Sequence, residues 1–347
     1  MAASKNVMTD SIHPQLKQIL PAYRAPWWLP DGHTQTLWRK LSMAPVLKRR
    51  RQRVELEDGD FIDLDWLDAP DASARQRPLV FVLHGLCGCS SSPYVMAMQN
   101  QLYLSGYDSM AMNFRGCSGE PNRLARTYHS GSSDDVEQVL QQVLPQLARD
   151  RTLAVIGYSL GGNVILKWMA ETGLRDRVSA GVAVSNPFSL AHCCELMIRG
   201  RVSRLYGRFF LRKLTRQFQH KKQWFREHGM TEQLAIMDEL DDPRGLDDLW
   251  QFDDRITAPL HGFDGAMDYY ERCSSSRFLA DIDAPTLIVH GNNDPIIPPS
   301  GLPDIRKAPR NIHWDVHADG GHVGFAASGK PTWLEERIVH YIALHEG

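Results

Sequence analysis

The chain has 347 residues, 43% of them hydrophobic and 23% charged, which is the make-up of a globular protein long enough to bury a sizeable core. With 39 basic against 41 acidic side chains and a net charge of −2, it lacks the electrostatic footprint of a nucleic-acid binder. Cysteines at 87, 89, 117, 193, 194 and 273 repeat no zinc-site spacing and suit no disulfide framework, and Met1–Asp10 holds no long apolar run, so a reduced, cytoplasmic, metal-free protein is expected.

In chain order, Trp27–Thr36 opens on two adjacent tryptophans and reads as an aromatic staple holding an N-terminal arm, residues 1–49, on the domain. Arg53–Glu57 and Phe61–Trp66 alternate with period two around Asp58-Gly59-Asp60, the pattern of a hairpin. Apolar runs at 79–83, 108–113, 152–157, 180–185, 286–290 and 312–316 then alternate with helical patterns near 94–105, 133–148, 161–173 and 331–345. Such alternation predicts an α/β fold with a mostly parallel central sheet and helices on both faces. Asp134 and Asp135 are expected to cap the second helix, and Arg115 either binds an anion or pairs with a structural acid.

The rhythm breaks at 187–281, far longer than an ordinary connection between core strands. This stretch is expected to be a helical lid inserted into a core of 50–186 and 282–347. Ile198, Val202, Leu205, Tyr206, Phe209 and Phe210 recur at helical spacing, while Arg199, Arg201, Arg204, Arg208, Arg212 and Lys213 fill other positions. The pattern reads as an amphipathic helix whose apolar side packs on the core, with contact to an anionic membrane as the alternative.

Gly157-Tyr158-Ser159-Leu160-Gly161 lies between a strand pattern and a helix pattern. A Gly-x-Ser-x-Gly there marks a turn too tight for side chains at its outer positions, with the serine hydroxyl held out of the sheet. A serine needs a base, and the base needs an acid to fix its tautomer. Asp294 lies in the turn after strand 286–290, and His322 lies between glycines in the loop after strand 312–316. Both stand at carboxyl ends of strands, where open α/β sheets gather functional groups. Asp281, Asp283 and Asp319 compete as acids, and His290, His313 and His317 as bases, but each lacks either the right strand end or the right loop. One oxyanion donor is expected at the Leu160 N–H. The second is expected in the loop His84-Gly85-Leu86-Cys87-Gly88, with Leu86 preferred and Cys87 the alternative.

These motifs, with Pro26–Leu37, His84–Tyr94, Asn113–Asn122, Tyr128–Asp135 and Gly320–Phe325, make the chain similar to the YheT-like, or AB hydrolase 4, family of the α/β-hydrolase superfamily. The resemblance implies a single α/β-hydrolase domain with Ser159, Asp294 and His322 as a catalytic triad. It also implies a cofactor-free carboxylic ester hydrolase acting on short- to medium-chain acyl esters, acylglycerols or phospholipids. Acyl transfer to an alcohol is one alternative, and a non-catalytic binding module is another. The chain departs from the family at Gly88-Cys89-Ser90, where Gly-Ser-Ser is usual, and at Cys87, which replaces a polar residue.

Overall fold

The computed structural model describes residues 22–327 and 332–346, so residues 1–21 of the expected arm and the reading of the chain's start lie outside the described residues. Eight strands form one sheet: β1 Arg50–Glu55, β2 Phe61–Leu67, β3 Leu79–Leu83, β4 Ser109–Met112, β5 Leu153–Tyr158, β6 Val178–Val184, β7 Thr286–Gly291 and β8 Ile312–His317. Their spatial order is β1-β2-β4-β3-β5-β6-β7-β8. β1 and β2 form the antiparallel hairpin, with Glu55 opposite Phe61, and β2 joins β4 antiparallel. From β4 to β8 every pairing is parallel. The central strands are apolar on both faces because both faces are covered.

The period of two in β3 decides the layers. Phe81 and Leu83 face a cluster with Val136, Val139 and Leu140 of α3 (Ser133–Val143) and Val164 and Trp168 of α4 (Leu160–Glu171). Val80 and Val82 face the other way, toward Val95, Met98 and Leu102 of α2 (Pro93–Leu104) and Ile338 and Ile342 of α9 (Trp333–Ala343). α1 is the short N-terminal helix Gly32–Leu41.

Between β6 and β7 run α5 (Leu190–Arg199), α6 (Ser203–Glu227), α7 (Thr231–Asp238), short helical turns and α8 (Ala266–Cys273). They build an apolar cluster of their own from Leu211, Phe218, Phe225, Met237, Phe252 and Tyr270. In α6, Leu211, Phe218 and Phe225 are buried, while Arg204, Arg208, Arg212 and Arg216 are exposed. No helix among the described residues is long and apolar enough to cross a membrane.

Two local expectations are corrected. Asp135 does not cap α3, where Ser132 is the N-cap and no side chain caps the backbone; its carboxylate takes Nε and Nη2 of Arg115 at 2.9 and 2.7 Å. Asp134 pairs with Arg126. Arg115 is fully buried and also reaches Asp58 at 2.7 Å and Asp60 at 3.0 Å, so it pins the β1–β2 turn to α3. The tryptophans do not staple the arm either. Trp27 is 89% exposed, and Trp28 meets Trp38 of α1 edge-on. The arm is attached instead by Tyr23, which packs edge-on against Phe325 and Trp333, and by the polar face of α1.

Candidate active site

β5 runs straight into Ser159, whose φ of 53° and ψ of −122° place a non-glycine residue in a strained conformation. The turn tolerates no bulk. A Cβ on Gly157 would lie 2.3 Å from the Gly161 carbonyl oxygen, and one on Gly161 would lie 2.4 Å from that of His84. The Ser159 N–H donates to the Val184 carbonyl at 2.8 Å, which ties the elbow to β6.

The three residues singled out from the sequence meet here. His322 Nε2 lies 2.8 Å from Ser159 Oγ, and His322 Nδ1 lies 2.8 Å from Asp294 Oδ2. The other Asp294 oxygen accepts the backbone N–H groups of Ile296 and Ile297 at 2.8 and 3.1 Å. Burial works to raise the Asp294 pKa, but His322, with smaller help from His290 and the Ile296 N–H, outweighs it and holds the carboxyl below its usual value. An ionised Asp294 keeps the proton on Nδ1, which leaves Nε2 free to accept from the serine hydroxyl.

None of the competing groups takes part in this relay. His290 is fully buried, His313 bonds Tyr341 Oη, and His317 faces Asp315. Asp319 accepts from Asn293, and Asp283 pairs with Arg175. Asp281 ends a short turn ahead of β7.

The loop after β3 separates the two oxyanion candidates. Cys87 has a positive φ of 55°, and its N–H is spent on Tyr128 Oη at 2.9 Å. The Gly85 N–H is likewise spent on Tyr94 Oη at 2.9 Å. Among the described residues the N–H groups of Leu86 and of Leu160, at the start of α4, meet no acceptor. The loop is anchored by His84, whose Nε2 accepts the Phe114 N–H at 3.2 Å, leaving Nδ1–H to donate to the Gly85 carbonyl. Burial pushes the His84 pKa down to about 4, so the ring stays neutral.

The sequence reading missed the residues that hold the His322 loop. Thr36 Oγ1 accepts the His322 N–H at 2.8 Å. Gln35 Oε1 accepts the Gly320 N–H at 2.7 Å, and its Nε2 donates to the Leu29 carbonyl at 2.9 Å. Asn293 Oδ1 takes the Gly321 N–H and Ser185 Oγ takes the Val323 N–H, each at 2.9 Å. α1 is positioned for this by Asp31, whose Oδ1 accepts the Thr34 N–H at 2.9 Å in a capping box. The spacing Asp31-x-x-Thr34 was the available signal, for a helix start though not for its partner.

Ser159, Leu86 and Leu160 open onto a cavity of about 360 Å³ lined mainly by apolar side chains, with Phe210, Leu214 and Phe218 contributed by α6 and Leu249, Phe252 and Ile256 by the turns after it. Asp253 also reaches its wall, bonded to Tyr270 Oη at 2.6 Å and Thr257 Oγ1 at 2.8 Å; burial raises its pKa to about 6. Lys221 of α6 also lines the cavity and is buried, with its Nζ donating to Asn122 Oδ1 at 2.7 Å and to the carbonyls of Ala125 and Arg126 at 3.1 and 2.8 Å. Among the described residues no group of three or more histidine, cysteine or acidic side chains is placed to hold a metal ion.

Residues 78–327 match the model of the alpha/beta hydrolase fold family. The chain is 37% identical over 314 residues to YheT of Escherichia coli, an esterase by name, covering 88% of this chain and 89% of that one. It is 28% identical to Phospholipase ABHD3 of Mus musculus over 86% of this chain and 72% of the other. Among solved structures an esterase of Pyrococcus furiosus superimposes with a TM-score of 0.54 at 14% identity, covering 94% of this chain and 97% of that one, a likeness of fold. The elbow, the sheet order and these matches lead to one placement: the chain belongs to the α/β-hydrolase fold family, on its YheT-like branch.

Proposed function

We propose that this protein is a serine ester hydrolase of short- to medium-chain acyl esters or lipid esters. The observation that carries the reading is the unbroken hydrogen-bonded relay from Asp294 through His322 to Ser159, with two unspent backbone N–H groups beside the hydroxyl. Ser159 Oγ attacks the ester carbonyl as His322 Nε2 takes its proton, and the Leu86 and Leu160 N–H groups receive the developing oxyanion. His322 then returns the proton to the leaving alcohol. In the second step His322 takes a proton from water, whose oxygen attacks the acyl-enzyme, and then gives that proton to Ser159 Oγ as the bond to the acyl group breaks and the acid leaves. Asp294 fixes the imidazole throughout, and these steps draw on no further group. The apolar cavity suits the acyl chain. The names of YheT and Phospholipase ABHD3 support an ester or phospholipid substrate. On this reading residues 187–281 roof the cavity as a lid on a single domain with core segments 50–186 and 282–347 and an N-terminal arm, 1–49.

A chain-length series of p-nitrophenyl esters, run with and without added ethanol, tests the reading. Turnover is expected to peak at short to medium acyl chains, with free acid as the main product. An ethyl ester as the main product at low ethanol would make the protein an acyltransferase. Absence of turnover on every ester would leave a binding module and overturn both catalytic readings.

A further inference from the structure

α1 and α6 touch through two pairs of side chains. His33 stacks on Tyr206 with its Nδ1 3.1 Å from the tyrosine hydroxyl, and Lys40 Nζ lies 3.5 Å from the centre of the Phe209 ring. Several large apolar side chains on these helices and in their flanking loops are exposed. Leu41 of α1 is 77% exposed, and Met43 in the loop after it 96%. Trp27 stands clear of the protein ahead of α1, and Leu205 of α6 is 57% exposed. The exposed charges that α6 sets beside them are mostly basic. Arg204, Arg208, Arg212, Lys213 and Arg216 of α6 are exposed, and among the described contacts none of them has an acidic partner. Asp31 at the cap of α1 and Glu227 at the far end of α6 are the acids these two helices carry.

Exposed tryptophan and leucine rimmed by arginines are the composition of a surface that sits in a lipid interface, with rings at headgroup depth and guanidinium groups on phosphates. The position has a consequence for the site. The other side of α6 lines the cavity through Phe210, Leu214 and Phe218, and α1 holds the His322 loop through Gln35 and Thr36. We propose that α1 with its flanking loops and the outer side of α6 form a docking surface for an anionic lipid bilayer, placing the cavity beside its lipids. The surface stands independently of the hydrolase reading. The test therefore uses the full-length Ser159→Ala protein, in which binding is read without turnover.

Co-sedimentation with phosphatidylcholine vesicles, with and without phosphatidylglycerol, is expected to show binding that needs the anionic lipid and weakens with salt. Arg208→Gln and Arg212→Gln are expected to lower partitioning about fivefold each. Trp27→Ser with Leu41→Ser is expected to lower it about tenfold. In a background retaining Ser159, the same substitutions are expected to leave hydrolysis of a water-soluble short ester unchanged. The proposal is overturned by failure of the full-length protein to bind phosphatidylglycerol vesicles at low salt, or by binding indifferent to all four substitutions. A concentration-dependent dimer abolished by these substitutions would also overturn it, because the surface would then belong to a second copy of the chain.

Discussion

Ser159→Ala is expected to lower kcat/KM on a p-nitrophenyl ester by about 10⁴- to 10⁶-fold, with stability changed by less than about 1 kcal/mol. The substitution removes the only atom the proposed mechanism uses to form the acyl-enzyme. The backbone donors at Leu86 and Leu160 stay in place, so a small residual rate over water remains. The fold is spared because alanine meets the same φ of 53° that serine already tolerates, and the Ser159 N–H keeps its bond to Val184. A drop of less than tenfold, with thermal unfolding unchanged, would remove Ser159 as nucleophile.

Gln35→Leu is expected to have the second largest effect, and on two readouts at once. Gln35 is completely buried and bridges the Leu29 carbonyl, the Gly320 N–H and Asn293. Leucine fills similar space but leaves that carbonyl and that N–H without partners, and each such buried group costs about 1–3 kcal/mol. A total loss of roughly 2–5 kcal/mol follows, or a fall in Tm of about 3–7 °C for a chain of this size. Gly320 is two residues from His322, so the imidazole loses its support and kcat is expected to fall further than KM changes. Thr36→Val, which removes the acceptor of the His322 N–H, is the milder companion, at about tenfold in kcat. Wild-type Tm and kcat in Gln35→Leu would show that α1 does not position the loop.

The parts of this molecule that were legible in the sequence are those whose physics repeats over a short window. β3, β5 and β7 read as buried parallel strands because strands covered on both faces must be apolar throughout. The elbow at Ser159 was legible because a tight strand-to-helix turn fixes three residues, Gly157, Ser159 and Gly161, within a window of five. Asp294 and His322 followed from their places at the ends of β7 and β8. What stayed hidden depends on contacts across the chain. Gln35 bonds a residue 285 positions away, and Thr36 one 286 positions away; neither leaves a periodic trace. The tryptophans at 27 and 28 were misread because an aromatic pair carries the same signal whether it is packed inward or left in solvent. Asp135 sits in the first turn of α3, where acids commonly serve the helix end, but the fully buried Arg115 from the loop after β4 claims its carboxylate. The sequence preferred Leu86 to Cys87 in the loop after β3, but the contact that occupies the Cys87 N–H, the Tyr128 hydroxyl, leaves no trace in the local pattern.

The central claim is that Asp294, His322 and Ser159 act as one unit that makes the serine oxygen nucleophilic. Reaction with a fluorophosphonate, followed by peptide mass spectrometry, addresses it most directly. The account predicts a single phosphonyl adduct on Ser159 that forms rapidly in the wild type and is lost in His322→Ala. An adduct on another residue with Ser159 unmodified, or equal labelling of Ser159 after His322→Ala, would contradict it.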